Sequence, residues 1–250
     1  MSLLKDVNHR PWPLPSKRWI MRQTWSNLLF LHWPIPPETL RPYIPPSLQI
    51  DTFDRSAWLG IVVFVMDGIY PRGLSTVSVT PKFPEINVRT YVHCNGKPGV
   101  YFMSLDVADR ASLTIAKRWF RLPYHSAQMS FQKEGQTFHC QSIRKGKTKA
   151  PIRFDGKYTP LSEAYFPEKE SLDHWLTERY CLYSTDHRAN IYCGEIHHRP
   201  WPLQKAATDI CINTLFSPFN FNLDGINPIS HFSIGVDTLI WNIQKVRLQK

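Results

Sequence analysis

The stretch "EINVRTYVH", Glu85 to His93, alternates apolar and polar residues without a break. On a β-strand successive side chains point to opposite faces. Ile86, Val88, Thr90 and Val92 then share one face, and Asn87, Arg89, Tyr91 and His93 share the other. A planar, permanently charged guanidinium flanked by an amide and a phenol is suited to gripping a carboxylate or a phosphate. If that polar face lines an internal cavity, Asn87, Arg89 and Tyr91 form a binding wall. If it faces water, they are an ordinary solvated surface.

A repeated hexapeptide is the second candidate. "HRPWPL" runs from His9 to Leu14 and again from His198 to Leu203. The residues downstream differ, "SKRWIMRQTW" against "QKAATDICIN", so a duplicated domain is rejected. Proline fixes φ and pushes the preceding residue out of the helical region, so each copy is a stiff extended segment. The expected role is structural, with Trp12 and Trp201 packed beneath connecting loops. The functional alternative places these tryptophans at the rim of a ligand cavity.

Other constellations carry less. Glu195, His197 and His198 are metal-ligand types, but neighbours on a strand face opposite ways and cannot all converge, so no metal is expected. Asp51 and Asp54 bracket a turn, where capping explains them. No GxSxG nucleophile elbow and no GxGxxG phosphate loop occurs. Five cysteines are scattered singly without a CxxC, which reads as reduced, mostly buried thiols.

These residues must be held by many short elements, because 21 prolines and 11 glycines punctuate the 250 residues. Strands are expected at residues 22–33, 57–69, 85–93, 100–107, 125–133, 136–145, 150–154 and 190–198, and at the C-terminus. The apolar run "AWLGIVVFVM" reads as a strand buried on both faces, and it is too short for a membrane-spanning helix. A helical turn is expected at "PPETLRPYI". Helices are expected after Asp109, across "ESLDHWLTERY" with Ser171 as cap, and over "QKAATDICINTL". The fold class is therefore mainly β within α+β: a closed or strongly curved antiparallel β-barrel with about three packed helices, in one domain spanning residues 1–250. The formal charge of +10 is a weak pointer to nucleic acid, because "RKGKTK" reads as a solvated hairpin turn and no nucleic-acid-binding motif accompanies it. The N-terminus lacks the apolar stretch of a secretion signal, so a cytoplasmic protein without membrane contact is expected.

Beyond composition, the segments "HRPWPLP", "QTWSNLLFLHWPIP", "IDTFD", "FPEINVRTYV", "GKPGVYFMSLD" and "PFNFN" to "VDTLIW" resemble the YqjF-like family of uncharacterised bacterial proteins. That family is distantly similar in fold to acetoacetate decarboxylase, a closed antiparallel β-barrel with a central cavity. The decarboxylase uses a lysine that forms a Schiff base beside a second lysine that lowers its pKa. The corresponding place here is "RLPYHSA", and no Lys-Lys pair exists in the chain. The resemblance thus implies the cavity without the covalent chemistry. It puts Tyr124 and His125 where the lysines would stand, as candidate proton-transfer residues. The expected function is binding of a small organic anion or aromatic compound, with lyase or hydratase chemistry or with no catalysis at all. No cofactor is expected, and homo-oligomerisation is left open.

Overall fold

The computed structural model describes residues 3–74, 77–108, 121–146, 150–221, 223 and 225–247. The long strands are β1 (Met21–Ile35), β3 (Ala57–Pro71), β4 (Phe83–Cys94) and β5 (Lys97–Val107). They are followed by β6 (Tyr124–Glu134), β7 (Thr137–Arg144), β8 (Arg153–Pro160), β9 (Cys181–Thr185), β10 (Ile191–His197), β11 (Leu203–Asn213) and β12 (Ile229–Ile240). Short β2 (Gln49–Ile50) and β13 (Gln244–Lys245) complete the sheet. Helices are brief: α1 (Pro37–Leu40), with Pro37 at its first position, and α2 (Leu172–Thr177). At α2 the Ser171 hydroxyl accepts the His174 N–H at 3.2 Å, as the cap reading expected. Among the described residues no helix is long and apolar enough to cross a membrane.

Strand pairing closes on itself. β1 pairs β3, β3 pairs β4, β4 pairs β5, β5 pairs β9, β9 pairs β10, β10 pairs β12, and β12 returns to β1. A ring of this kind satisfies its own edges. From β5 a second lobe runs through β6, β7, β8 and β11 back to β12. The antiparallel expectation needs one correction, since β5 pairs with both β6 and β9 in parallel. Parallel neighbours need a crossover of about a dozen residues or more, and residues 108–123 supply one between β5 and β6. The helix expected after Asp109 falls there, outside the described residues.

A second correction concerns the helix expected over "QKAATDICINTL". It is strand β11, paired with β8 from Ala206 opposite Pro160 to Asn213 opposite Phe154. Exposure there follows period two: Lys205, Ala207, Asp209 and Cys211 are exposed, while Ala206 and Ile210 pack on the core. β-branched Thr208, Ile210 and Ile212 suit a half-buried pleat, and cross-strand partners override the helix propensity of Lys and Ala.

β3 is buried on both faces, as its sequence indicated. Leu59, Ile61 and Val63 join the main core with Ile86 and Val88 of β4, against Phe138, Phe154 and Tyr158 of the second lobe. Val62, Phe64 and Met66 point the other way, with Leu28 and Phe30 of β1 and with Trp201. β1 and β12 cross closely where Gly235, at φ 129°, lies against β1, so that a Cβ on it would sit 2.1 Å from the Trp25 carbonyl oxygen. Gly235→Ala is therefore expected to cost at least about 2 kcal/mol in denaturant unfolding, from an unfavourable backbone plus the clash. A change within about 0.5 kcal/mol would contradict that packing.

The two "HRPWPL" copies meet. His9 Nε2 donates to the carbonyl oxygen of His198 at 2.8 Å. Arg10 donates to the Ile196 carbonyl at 2.7 Å and to the Glu195 carboxylate at 3.1 Å, and Trp12 Nε1 donates to the same carboxylate at 2.9 Å. In the second copy the Trp201 amide donates to Glu178 at 2.8 Å. The repeat is thus two stiff segments locked together beside β10.

Candidate binding cavity

On the face of β3 and β4 away from the main core lies a cavity of about 140 Å³. Its walls are mostly apolar, with Trp25, Phe30, Phe64, Phe102 and Trp201 among them. Strand alternation delivers its polar groups: Phe83, Glu85, Asn87 and Arg89 of β4 all line it, while Ile86 and Val88 between them sit in the main core. The polar face is therefore the inward one. Gln23 of β1, Tyr124 of β6, Arg179 after α2 and His198 of the second "HRPWPL" also reach the cavity.

The guanidiniums outnumber the carboxylates at one end. Arg179 Nη1 donates to Asp51 at 2.6 Å and its Nε to the Trp175 carbonyl at 2.7 Å, but its Nη2 has no partner among the described residues. Arg89 Nη2 donates to the Leu176 carbonyl at 3.2 Å and to the Tyr91 hydroxyl at 3.4 Å, and its Nε has no partner among the described residues. Among the described residues no carboxylate pairs with Arg89. Asp51, read from sequence as a turn cap, is the only counter-charge that this pair has among the described residues. Burial lowers the Arg179 pKa, Asp51 raises it, and neighbouring Arg89 lowers it further.

At the other end sits Glu85. Extended backbone advances about 3.3 Å per residue, so its Cα lies roughly 13 Å along β4 from that of Arg89. Glu85 is 5% exposed, and burial alone pushes its pKa up to about 8. It is a neutral acid at pH 7 and can donate a hydrogen bond. Beside it, burial and then Glu85 itself hold the Tyr124 pKa well above the usual phenol range. The Asn87 Oδ1 between the two ends has no partner among the described residues. Burial also lowers the His198 pKa to about 4, which leaves that ring neutral.

Not every expected residue lines the cavity. Tyr91 is fully buried behind Arg89, where its hydroxyl donates to Leu176 O and meets His32 Nε2, both at 2.8 Å. It props the guanidinium. His125 neighbours Tyr124 on β6, faces the other way and is not part of the lining. Trp201 forms wall, stacked 6.2 Å from Trp25, whereas Trp12 lies on Glu195 outside the cavity. Sequence reasoning missed Glu85, Gln23 and Arg179. Glu85 shares the parity of Asn87 and Arg89, a signal present in the alternation; Arg179 is brought in by the turn after α2 and gives no local signal.

A protein-family model described as an uncharacterized conserved protein, DUF2071, matches residues 22–237. The chain belongs to this family. A relative, "Uncharacterized protein YqjF" of Bacillus subtilis (strain 168), is 40% identical over 232 residues, covering 93% of this chain and 95% of the relative. Among solved structures, an acetoacetate decarboxylase from Legionella pneumophila aligns with TM-score 0.61 at 12% identity, covering 98% and 95% of the two chains. The enduracididine biosynthesis enzyme MppR complexed with pyruvate aligns with TM-score 0.62 at 9% identity, covering 92% and 91%. At such identities these likenesses establish a shared fold, the one that the sequence resemblance implied.

Proposed function

We propose that this DUF2071 protein binds a small organic acid in the cavity. The ligand carboxylate lies on Arg89 and Arg179, its apolar or aromatic body lies against Trp25, Phe30 and Trp201, and a carbonyl or hydroxyl oxygen faces Glu85 and Tyr124. The carrying observation is the surplus of guanidinium over carboxylate among the described residues of this end, where Arg179 is buried and Arg89 half-buried with its Nε out of contact with water. An uncompensated buried charge is costly, and an anionic ligand would supply its missing partner. The complex of MppR, a protein of similar fold, with pyruvate supports this ligand class.

Glu85 and Tyr124, both neutral, are placed to donate to an oxygen that gains negative charge, which suits non-covalent lyase or hydratase chemistry. A non-catalytic binding or sensing role is the second reading. It is favoured by the separation of Tyr124 from His125, whose ring is not part of the cavity lining. A thermal-shift screen of small oxo, hydroxy and aromatic carboxylates tests the binding. A ligand at 100 times its Kd stabilises by about 2.7 kcal/mol. Stabilisation by neutral amides equal to that by the matching acids would refute the reading, and turnover of a stabilising acid would separate enzyme from binder.

No lysine lines the cavity among the described residues, and the family resemblance puts Tyr124 and His125 at the place of the decarboxylase-like lysine pair. Incubation with pyruvate or acetoacetate and borohydride is accordingly expected to leave the intact mass unchanged. A stoichiometric adduct on one lysine would restore Schiff-base chemistry.

A further inference from the structure

A second pocket, of about 260 Å³, shares no lining residue with the first and includes Cys94, Lys97, Tyr183, Cys193 and Glu195. In the β9–β10 ladder Cys181 lies opposite Glu195, and Cys193 opposite Tyr183. Cys181 and Cys193 are thus diagonal neighbours on one face of the ladder. Cys193 is half-buried at the pocket, whereas Cys181 is fully buried, with its Sγ 3.3 Å from the Pro98 carbonyl. Lys97 Nζ enters the same pocket, 2.7 Å from Glu195.

We infer that Cys193 and Cys181 form a redox-active dithiol, in which Cys193 attacks a hydroperoxide and Cys181 resolves the product. Reactive cysteines combine partial exposure with a nearby cation, and Cys193 has both. Neighbouring Cys181 and then Lys97 lower its pKa, against opposing burial and Glu195, while burial raises that of Cys181. The sulfur of the Cys193 thiolate takes the terminal oxygen of the hydroperoxide. The O–O bond breaks and the leaving alkoxide takes a proton to become an alcohol. The Cys181 sulfur then attacks the Cys193 sulfenic acid; an S–S bond forms, the S–O bond breaks, and the hydroxide leaves as water with the thiol proton. Two thiols are oxidised by two electrons, and one hydroperoxide is reduced to alcohol and water.

Diagonal Cα atoms in an antiparallel ladder lie ~7–8 Å apart, whereas a disulfide favours ~4.4–6.8 Å. Closure must draw β9 and β10 together, so the bond is strained and readily reduced. The remaining cysteines serve as comparisons. Cys211 is exposed, Cys140 is buried with its pKa raised by that burial, and Cys94 lines the same pocket as Cys193.

The test treats the full chain with hydrogen peroxide, alkylates it, and maps unreduced peptides by mass spectrometry. A Cys181–Cys193 linked peptide is expected, reversed by dithiothreitol, with Cys193 consumed at least ~10-fold faster than Cys211. Cys181→Ser should leave a Cys193 sulfenic acid that dimedone captures, and Cys193→Ser should leave Cys181 unreacted. Equal rates at Cys193 and Cys211, or a Cys94–Cys193 link in place of the expected one, overturns the assignment. The wild-type map decides even where a serine variant fails to fold.

Discussion

Arg89→Ala is expected to abolish any stabilisation that small carboxylates give, while the unliganded protein keeps its fold. A charge-assisted hydrogen bond is worth about 1.5–3 kcal/mol, and a guanidinium can offer two to one carboxylate, so affinity is expected to fall by about 100-fold or more. The cost to the apoprotein is small for a specific reason. Among the described residues Arg89 has no acidic partner to strand: its donors reach the Leu176 carbonyl and the Tyr91 hydroxyl. Losing those bonds is offset by removing a charge without a counterion, so stability should move by no more than about 1 kcal/mol. Arg179→Ala should behave differently. It strands Asp51, bonded at 2.6 Å, and should cost about 3 kcal/mol of stability as well as ligand affinity. Isothermal titration with the best acid from the screen, beside urea unfolding of both variants, separates the two. Unchanged affinity in Arg89→Ala removes the guanidinium from the site.

Much of this arrangement could be read from the strand period. β4 alternates so strictly that its two faces were separable from sequence, and the structure sends one to the core and the other to the cavity. Period alone left open which face was inward, because that depends on the second lobe packing over Ile86 and Val88. The same rule that dismissed Glu195, His197 and His198 as a metal set also separates Tyr124 from His125, since neighbours on a strand cannot share one cavity. Arg179 was out of reach for another reason. It meets Arg89 only because α2 stops at Thr177 and the chain turns into β9, a long-range consequence of topology.

β11 shows the opposite failure. Its Lys, Ala and Asp residues suit a helix, and a lone segment of that composition offers no reason to extend. Ladder bonds to β8 and β12 supply the reason. Where local preference is weak, neighbours decide.

The pH dependence of stability is the other large expected effect, and Glu85 sets it. Its carboxyl stays protonated in the folded protein up to about 8, while a glutamate in the unfolded chain releases its proton near ~4.3. Between those values the native state holds one more proton than the unfolded state, so stability falls as pH rises through the window and levels off above about 8. A raised acid thus contributes fully below the unfolded value and loses its contribution by the folded one. At ~1.4 kcal/mol per pKa unit the loss is on the order of 5 kcal/mol. Glutamine copies the shape and neutrality of the protonated acid and cannot ionise. Glu85→Gln should therefore match the wild type near pH 4 and exceed it at pH 9 by about 5 kcal/mol, which for a chain of this size raises Tm by roughly 10 °C. Urea titrations of both proteins across that range are the measurement. Parallel curves would mean that Glu85 ionises freely in the folded state, and the neutral donor opposite Arg89 would be lost from the proposed site.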